Sequence, residues 1–219
     1  MRGKEGGDGA EVPWTKALSS RRYAMALAIT LGLGAVIALL LPQFFTHLAL
    51  RPGTIPFEPL LPLLGPAQLS VPIFTVLYGM LAGALVVVLP RPYLLLRALQ
   101  AYVLILLLRM ISMWMFTLQP PADLVPLHDP LTAIFYPDGE AFTKDLFFSG
   151  HTATMALLVA LAHGKWQQAV ALAATGAVGV MVLAQHAHWT IDVVAAPVFV
   201  GLAWWISRAT WTASVSDVR

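Results

Sequence analysis

The 219-residue chain contains no cysteine, which excludes disulfides, thiolate nucleophiles and cysteine-ligated metal sites. Charge is scarce too: 11% of residues are Asp, Glu, Lys or Arg, against about 25% in an average soluble domain. The 13 cations are scattered, with no basic tract suited to nucleic acid, so no nucleic-acid partner is expected. No polar stretch is long enough to form a separate soluble domain. A cleavable signal peptide is not expected either, because the first twenty residues are polar and the first apolar run exceeds a signal core in length.

What fills the chain is apolar sequence, 58% hydrophobic with a mean hydropathy of +0.76. Runs of about 20 such residues cross a bilayer as helices. The reading is an all-α, polytopic, integral membrane protein with six transmembrane helices. Spans are expected over Tyr23–Leu48, Val71–Leu89, Tyr93–Leu118, Ser149–Ala162 (or from Leu146), Trp166–Gln185 and His188–Ile206. Residues 1–20 form a polar tail with a surface-lying turn at Val12 to Leu18, residues 21–211 the membrane domain, and residues 212–219 a short C-terminal tail. Arg51 to Pro66, with five prolines, makes a loop or a re-entrant segment. Pro90-Arg91-Pro92 forces a reversal. Pro120-Pro121 ends the third span, and Ala122 to Lys144 is an acidic aqueous loop.

Cation placement sets the orientation. With both termini cytoplasmic, ten of the 13 cations lie on that side, Arg51 and Lys144 lie opposite, and Arg109 falls inside the third span. The start of span 4, the end of span 5 and the start of span 6 then share the exoplasmic face. Gly79-x-x-x-Gly83 and the Ala/Gly-rich middle of span 5 read as helix contacts. Trp204, Trp205 and Trp211 read as interfacial anchors.

Two polar islands interrupt this pattern: Lys144-Asp145-Leu146-Phe147-Phe148-Ser149-Gly150-His151-Thr152 and His186-Ala187-His188-Trp189-Thr190-Ile191-Asp192. Ionisable residues at membrane depth are costly, and both islands fall on one face because an even number of crossings separates them. His188 and Asp192 lie four apart, so a helix stacks them, and the carboxylate can orient the imidazole for attack. His186 has at most a supporting role. Ser149 suits a helix N-cap, Gly150 permits close backbone approach, and the helix start attracts phosphate. His151 is placed to act as general acid, and Lys144 to screen phosphoryl oxygens. Arg109 costs about 2.5–3.5 kcal/mol at mid-span, so it should face a bound phosphate, Asp192 or a loop acid.

Together these residues make a kit for phosphoryl transfer without a metal or cofactor, since fixed cations and backbone dipoles can stabilise the charge. Each island alone also reads as wet, interfacial sequence. A metal site built from His186, His188 and Asp192 is a further alternative, as is a non-catalytic lipid transporter or scramblase with a polar path.

The pattern Asp145-x-x-x-Ser149-Gly150-His151-Thr152, followed by His186-x-His188-aromatic-Thr190-x-Asp192-Val193-Val194, closely resembles the third and fourth signature motifs of the sphingomyelin synthases. Arg109-Met110-Ile111-Ser112-Met113-Trp114 through Thr117-Leu118-x-Pro120 is similar to their second motif, and Pro56 to Pro62 loosely echoes the first. These enzymes belong to the type 2 phosphatidic acid phosphatase (PAP2) superfamily. The resemblance implies a six-span helical bundle and a phosphohistidine mechanism, with a catalytic triad on His151, His188 and Asp192. The phosphatase branch carries a Lys and an Arg-Pro upstream of Ser-Gly-His and an Arg six residues before the second histidine, where this chain has Val182, so the synthase branch is the nearer likeness. The donor implied is a phospholipid such as phosphatidylcholine or phosphatidylethanolamine, and the acceptor is ceramide, diacylglycerol or water. A lipid phosphate phosphatase using the same residues is the neighbouring alternative.

Overall fold

The computed structural model describes residues 12–129 and 145–215, with side chains up to residue 208. Lys144, the loop acids Asp138 and Glu140, the indole of Trp211 and most of the N-terminal tail lie outside the described residues. The described secondary structure is helical, apart from one isolated bridge between Thr54 and Leu118. The helices are α1 (Trp14–Ser19), α2 (Arg21–Ala49), α3 (Ser70–Val88), α4 (Pro92–Met115), α5 (Gly150–Leu161), α6 (Lys165–Ala184) and α7 (Thr190–Val215).

Five of them, α2, α3, α4, α6 and the Thr190–Arg208 part of α7, are long and apolar enough to cross a membrane. At 1.5 Å per residue the 12 residues of α5 rise about 18 Å, short of the roughly 30 Å hydrocarbon core. Fully apolar side chains such as Leu39, Val71, Val86 and Val198 point outward, while Ser112, Ser149, Gln185, His188 and Asp192 are buried. A bundle immersed in lipid sorts its side chains in this way, because lipid tails solvate the apolar faces and leave the polar groups to one another.

Helix α5 sits at the centre, with Ala153, Met155 and Leu157 buried against α3, α4, α6 and α7. It does not begin at Leu146. Phe147 has a φ of 110°, a conformation that L-residues avoid and that no helix propagates through, so residues 145–149 enter α5 as a bent, non-helical segment. Likewise α4 stops at Met115 rather than Leu118, because Thr117 and Gln119 pair with Thr54 on the proline-rich loop (3.0 and 2.9 Å). A Cβ on Gly53 would lie 2.8 Å from the Leu118 backbone, so only glycine permits that approach.

Two packing expectations change. The segment around Trp14 lies on the surface with Thr15, Lys16 and Leu18 exposed, but it is a short helix docked on one side: Ala17 is fully buried, the Trp14 indole donates to the Leu89 carbonyl (2.9 Å), and Tyr23 donates to the Pro92 carbonyl (3.0 Å), so α1 packs beside the α3–α4 reversal. Gly79 and Gly83 make no close contact; a Cβ on either would meet nothing within 4 Å, and both line an open apolar groove of about 270 Å³ between α3, α5 and α6. Gly179 is where a small residue does matter, since a Cβ there would press on Val193 of α7 at 2.9 Å. At the same end of the bundle as α1, the Arg97 guanidinium lies 3.4 Å over the Trp204 ring.

Candidate active site

The opposite end of the bundle gathers the proline-rich loop, the segment after α4, the entry to α5 and the α6–α7 turn. Here the His151 and His188 rings approach to 6.3 Å between centroids. His188 Nδ1 lies 3.2 Å from Asp192 Oδ2, with both side chains almost completely buried. The pair meets for a reason other than the one the four-residue spacing suggests. His188 is outside the helix, since α7 begins at Thr190 and His186 turns the chain at a φ of 52°. Asp192 stands in the first helical turn and reaches back, accepting the Trp189 N–H on Oδ2 (3.0 Å) and the Phe147 N–H on Oδ1 (3.1 Å). One carboxylate therefore caps its own helix, orients His188 and holds the first island, whose Ser149 N–H also donates to the Asp192 carbonyl (3.0 Å).

Ser149 is fully buried and caps α5, its hydroxyl oxygen accepting the Thr152 N–H (3.3 Å). Gly150 follows at the first helical position, and a Cβ there would overlap the Arg109 guanidinium. Arg109 thus leaves α4 to lie against the N-terminus of α5, where it pairs with Asp145 and stands 5.6 Å above the Phe148 ring. Of the partners considered for Arg109, the structure pairs it with a loop acid. Arg109 Nε, His151 Nδ1 and Thr152 Oγ1 are buried without a hydrogen-bond partner among the described residues. Phe74 of α3 packs edge-on against His151 at 5.3 Å.

His151, His188, Asp192, Arg109, Ser149 and Gly150 therefore converge, whereas Lys144 lies outside the described residues. His186 stands apart: its Nε2 is 2.8 Å from the Leu64 carbonyl, so it ties the turn to the proline-rich loop and does not join His188 and Asp192 in a ligand set. Among the described residues no group of three His, Asp or Glu side chains is disposed to hold a metal.

Four residues contribute beyond those the motifs assign a role. Glu58, in the proline-rich loop, accepts the N–H and hydroxyl of Thr190 at 2.8 and 2.7 Å. Gln185, fully buried, donates to Ser70 Oγ (2.9 Å) and the Pro126 carbonyl (3.0 Å) while accepting the Leu69 N–H (3.0 Å). Phe147 and Phe148 shape the entry to α5, Phe148 stacking on Phe199 at 4.7 Å. A polar residue inside apolar or proline-rich sequence was the signal for Glu58 and Gln185; nothing in the sequence marked the backbone turn at Phe147.

Comparison with curated proteins and with solved structures gives no match. Residues 144–209, which carry Ser149, His151, His188 and Asp192, match the family model described as PAP2 superfamily C-terminal, and that match supports membership of the PAP2 superfamily.

Proposed function

We propose that the chain is an integral membrane lipid phosphotransferase that removes the phospho-head-group of a phospholipid through a phosphohistidine and passes it to a lipid alcohol or to water. The observation that carries this reading is the facing of His151 and His188 at 6.3 Å, with Asp192 on the Nδ1 of His188. With Nδ1–H donating to Asp192, Nε2 keeps a lone pair for attack on phosphorus. As the N–P bond forms, the P–O bond to diacylglycerol breaks and protonated His151 delivers its proton to the departing oxygen. An acceptor hydroxyl then attacks, His151 takes its proton, and His188 leaves as the neutral imidazole. Arg109, which lies against Gly150, and the N-terminus of α5 hold the phosphoryl oxygens.

The membrane arrangement belongs to the same proposal. The turn after α5 and the entry to α5 lie at opposite ends of the bundle, so α5, extended by residues 145–149, acts as the sixth crossing. The positive-inside count then makes both termini cytoplasmic and the site exoplasmic. The likeness of the second, third and fourth motifs supports a sphingomyelin synthase-like choice of a diester donor such as phosphatidylcholine or phosphatidylethanolamine, and of ceramide or diacylglycerol as acceptor.

The test is incubation of purified protein with labelled phosphatidylcholine, phosphatidylethanolamine and phosphatidic acid, with and without ceramide. Diacylglycerol should appear from a diester and vanish in His188→Ala. Release of inorganic phosphate from phosphatidic acid alone would instead identify a lipid phosphatase, and lipid movement across vesicles with no product would identify a transporter. Full activity in His188→Ala would overturn the mechanism.

A further inference from the structure

We infer that Glu58 is a positioning residue for the His188–Asp192 pair, acting through the backbone of the first turn of α7. The inference rests on the phosphotransferase reading, and Glu58 lies outside the matched segment.

A helix begins with N–H groups that have no partner within it. In α7 the Trp189 N–H goes to Asp192 Oδ2 (3.0 Å), the same oxygen that faces His188 Nδ1. The next N–H, that of Thr190, goes to Glu58 Oε2 (2.8 Å). Glu58 Oε1 takes the Thr190 hydroxyl (2.7 Å) and the Leu60 and Leu61 N–H groups (2.7 and 2.9 Å). Both carboxylate oxygens thus grip one residue of the helix start, where a negative charge is favoured by the helix dipole. This grip fixes the peptide plane between Trp189 and Thr190, which adjoins the His188–Trp189 plane whose N–H shares the Asp192 oxygen with His188, so the two neighbouring planes are held by Glu58 and Asp192 in turn.

The loop bearing Glu58 is itself anchored. Thr54 pairs with the segment after α4, His186 meets the Leu64 carbonyl, and the Ala67 N–H donates to the Ala184 carbonyl (2.9 Å). Glu58 therefore stands on a fixed strap. At 3.2 Å the His188–Asp192 contact is at the long end for an N–H···O bond, so a small rotation of the turn weakens it.

Because the chemistry depends on aligned reacting atoms, Glu58→Gln should lower kcat about 10-fold with KM within about 2-fold, using whichever of phosphatidylcholine, phosphatidylethanolamine or phosphatidic acid the wild type cleaves. The Glu58→Ala and Thr190→Ala losses should be non-additive in a double-mutant cycle, since both remove the bond between Glu58 Oε1 and the Thr190 hydroxyl, and Thr190→Ala, which keeps the N–H bond to Oε2, should cost less than Glu58→Ala. Glu58→Asp should recover part of the rate. Wild-type kcat in folded Glu58→Ala, a KM rise that matches the kcat loss, or additive losses would overturn the inference. A readout independent of turnover is the imidazole Nδ1–H proton resonance of His188, assigned by its loss in His188→Ala. Glu58→Gln should shift or broaden it, and an unmoved resonance refutes the clamp. Failure of the lipid reading shows as an inactive wild type, whereas failure of the clamp shows as that unmoved resonance.

Discussion

Asp192→Asn separates geometry from chemistry at this site. The carboxylate is fully buried and accepts three N–H bonds, from His188, Trp189 and Phe147, so every donor around it points inward. Asparagine keeps the shape but brings an NH2 group, which must face at least one of those donors. If it faces Phe147, one buried N–H loses its acceptor, at a cost of about 1–3 kcal/mol. If it faces His188 and Trp189, the imidazole must accept on Nδ1, its proton moves to Nε2, and the atom that attacks phosphorus loses its lone pair. The comparable change in serine proteases, where the tautomer is also wrong, lowers kcat about 10⁴-fold, and a loss of about 10³- to 10⁴-fold is expected here. The melting temperature should fall by only several degrees. Single-turnover release of labelled diacylglycerol gives the first number, and a melt followed by tryptophan fluorescence gives the second. A folded Asp192→Ala protein with activity within tenfold of wild type would refute the orienting role, since alanine leaves no acceptor for His188 in either orientation.

Other predictions follow from the same geometry. Gly150→Ala drives a methyl group into the Arg109 guanidinium and breaks its pairing with Asp145, so activity should fall about 10- to 100-fold; in an Arg109→Ala background the same substitution should do little more. Burial opposes ionisation of Glu58, but its bonds from Thr190, Leu61 and Leu60 prevail and hold its carboxyl below the usual value. A depressed folded value means stability that is complete above the unfolded pKa of about 4.3 and is lost as pH falls through the folded one. Asp123 and His186 line the same outer cavity, so the contribution of Glu58 is read from melts of wild type against Glu58→Gln between about pH 3 and 6, where the gap should close toward acid. Gly79→Ala should stabilise the protein by up to about 1 kcal/mol, because its site is open and alanine is the better helix former. A clear loss of melting temperature would mean that Gly79 makes a helix contact after all.

The membrane class, the positions of five spans within a few residues and the polar residues that the fold gathers at one end were legible because each is written in local chemistry. Long apolar runs cannot hide in a sequence, and His, Asp and Arg within them stand out by their cost. Span ends were less legible. The start of α5 depends on a strained turn at Phe147 that is held by a carboxylate 45 residues later, and the end of α4 on pairing with Thr54. The spacing of His188 and Asp192 pointed to the right contact through the wrong geometry, since a helix cap and a helix face both bring such residues together.

Hydropathy and charge, summed along the chain, were enough to determine that it enters a bilayer and that its polar islands share one end, because burying apolar runs and pairing rare charges are decisions each segment makes largely alone. Which partner Arg109 takes, that Glu58 caps α7, and that Gly79 faces open space were decided only by the tertiary structure. Those choices depend on distances between segments far apart in sequence, and a linear pattern of residues does not carry them.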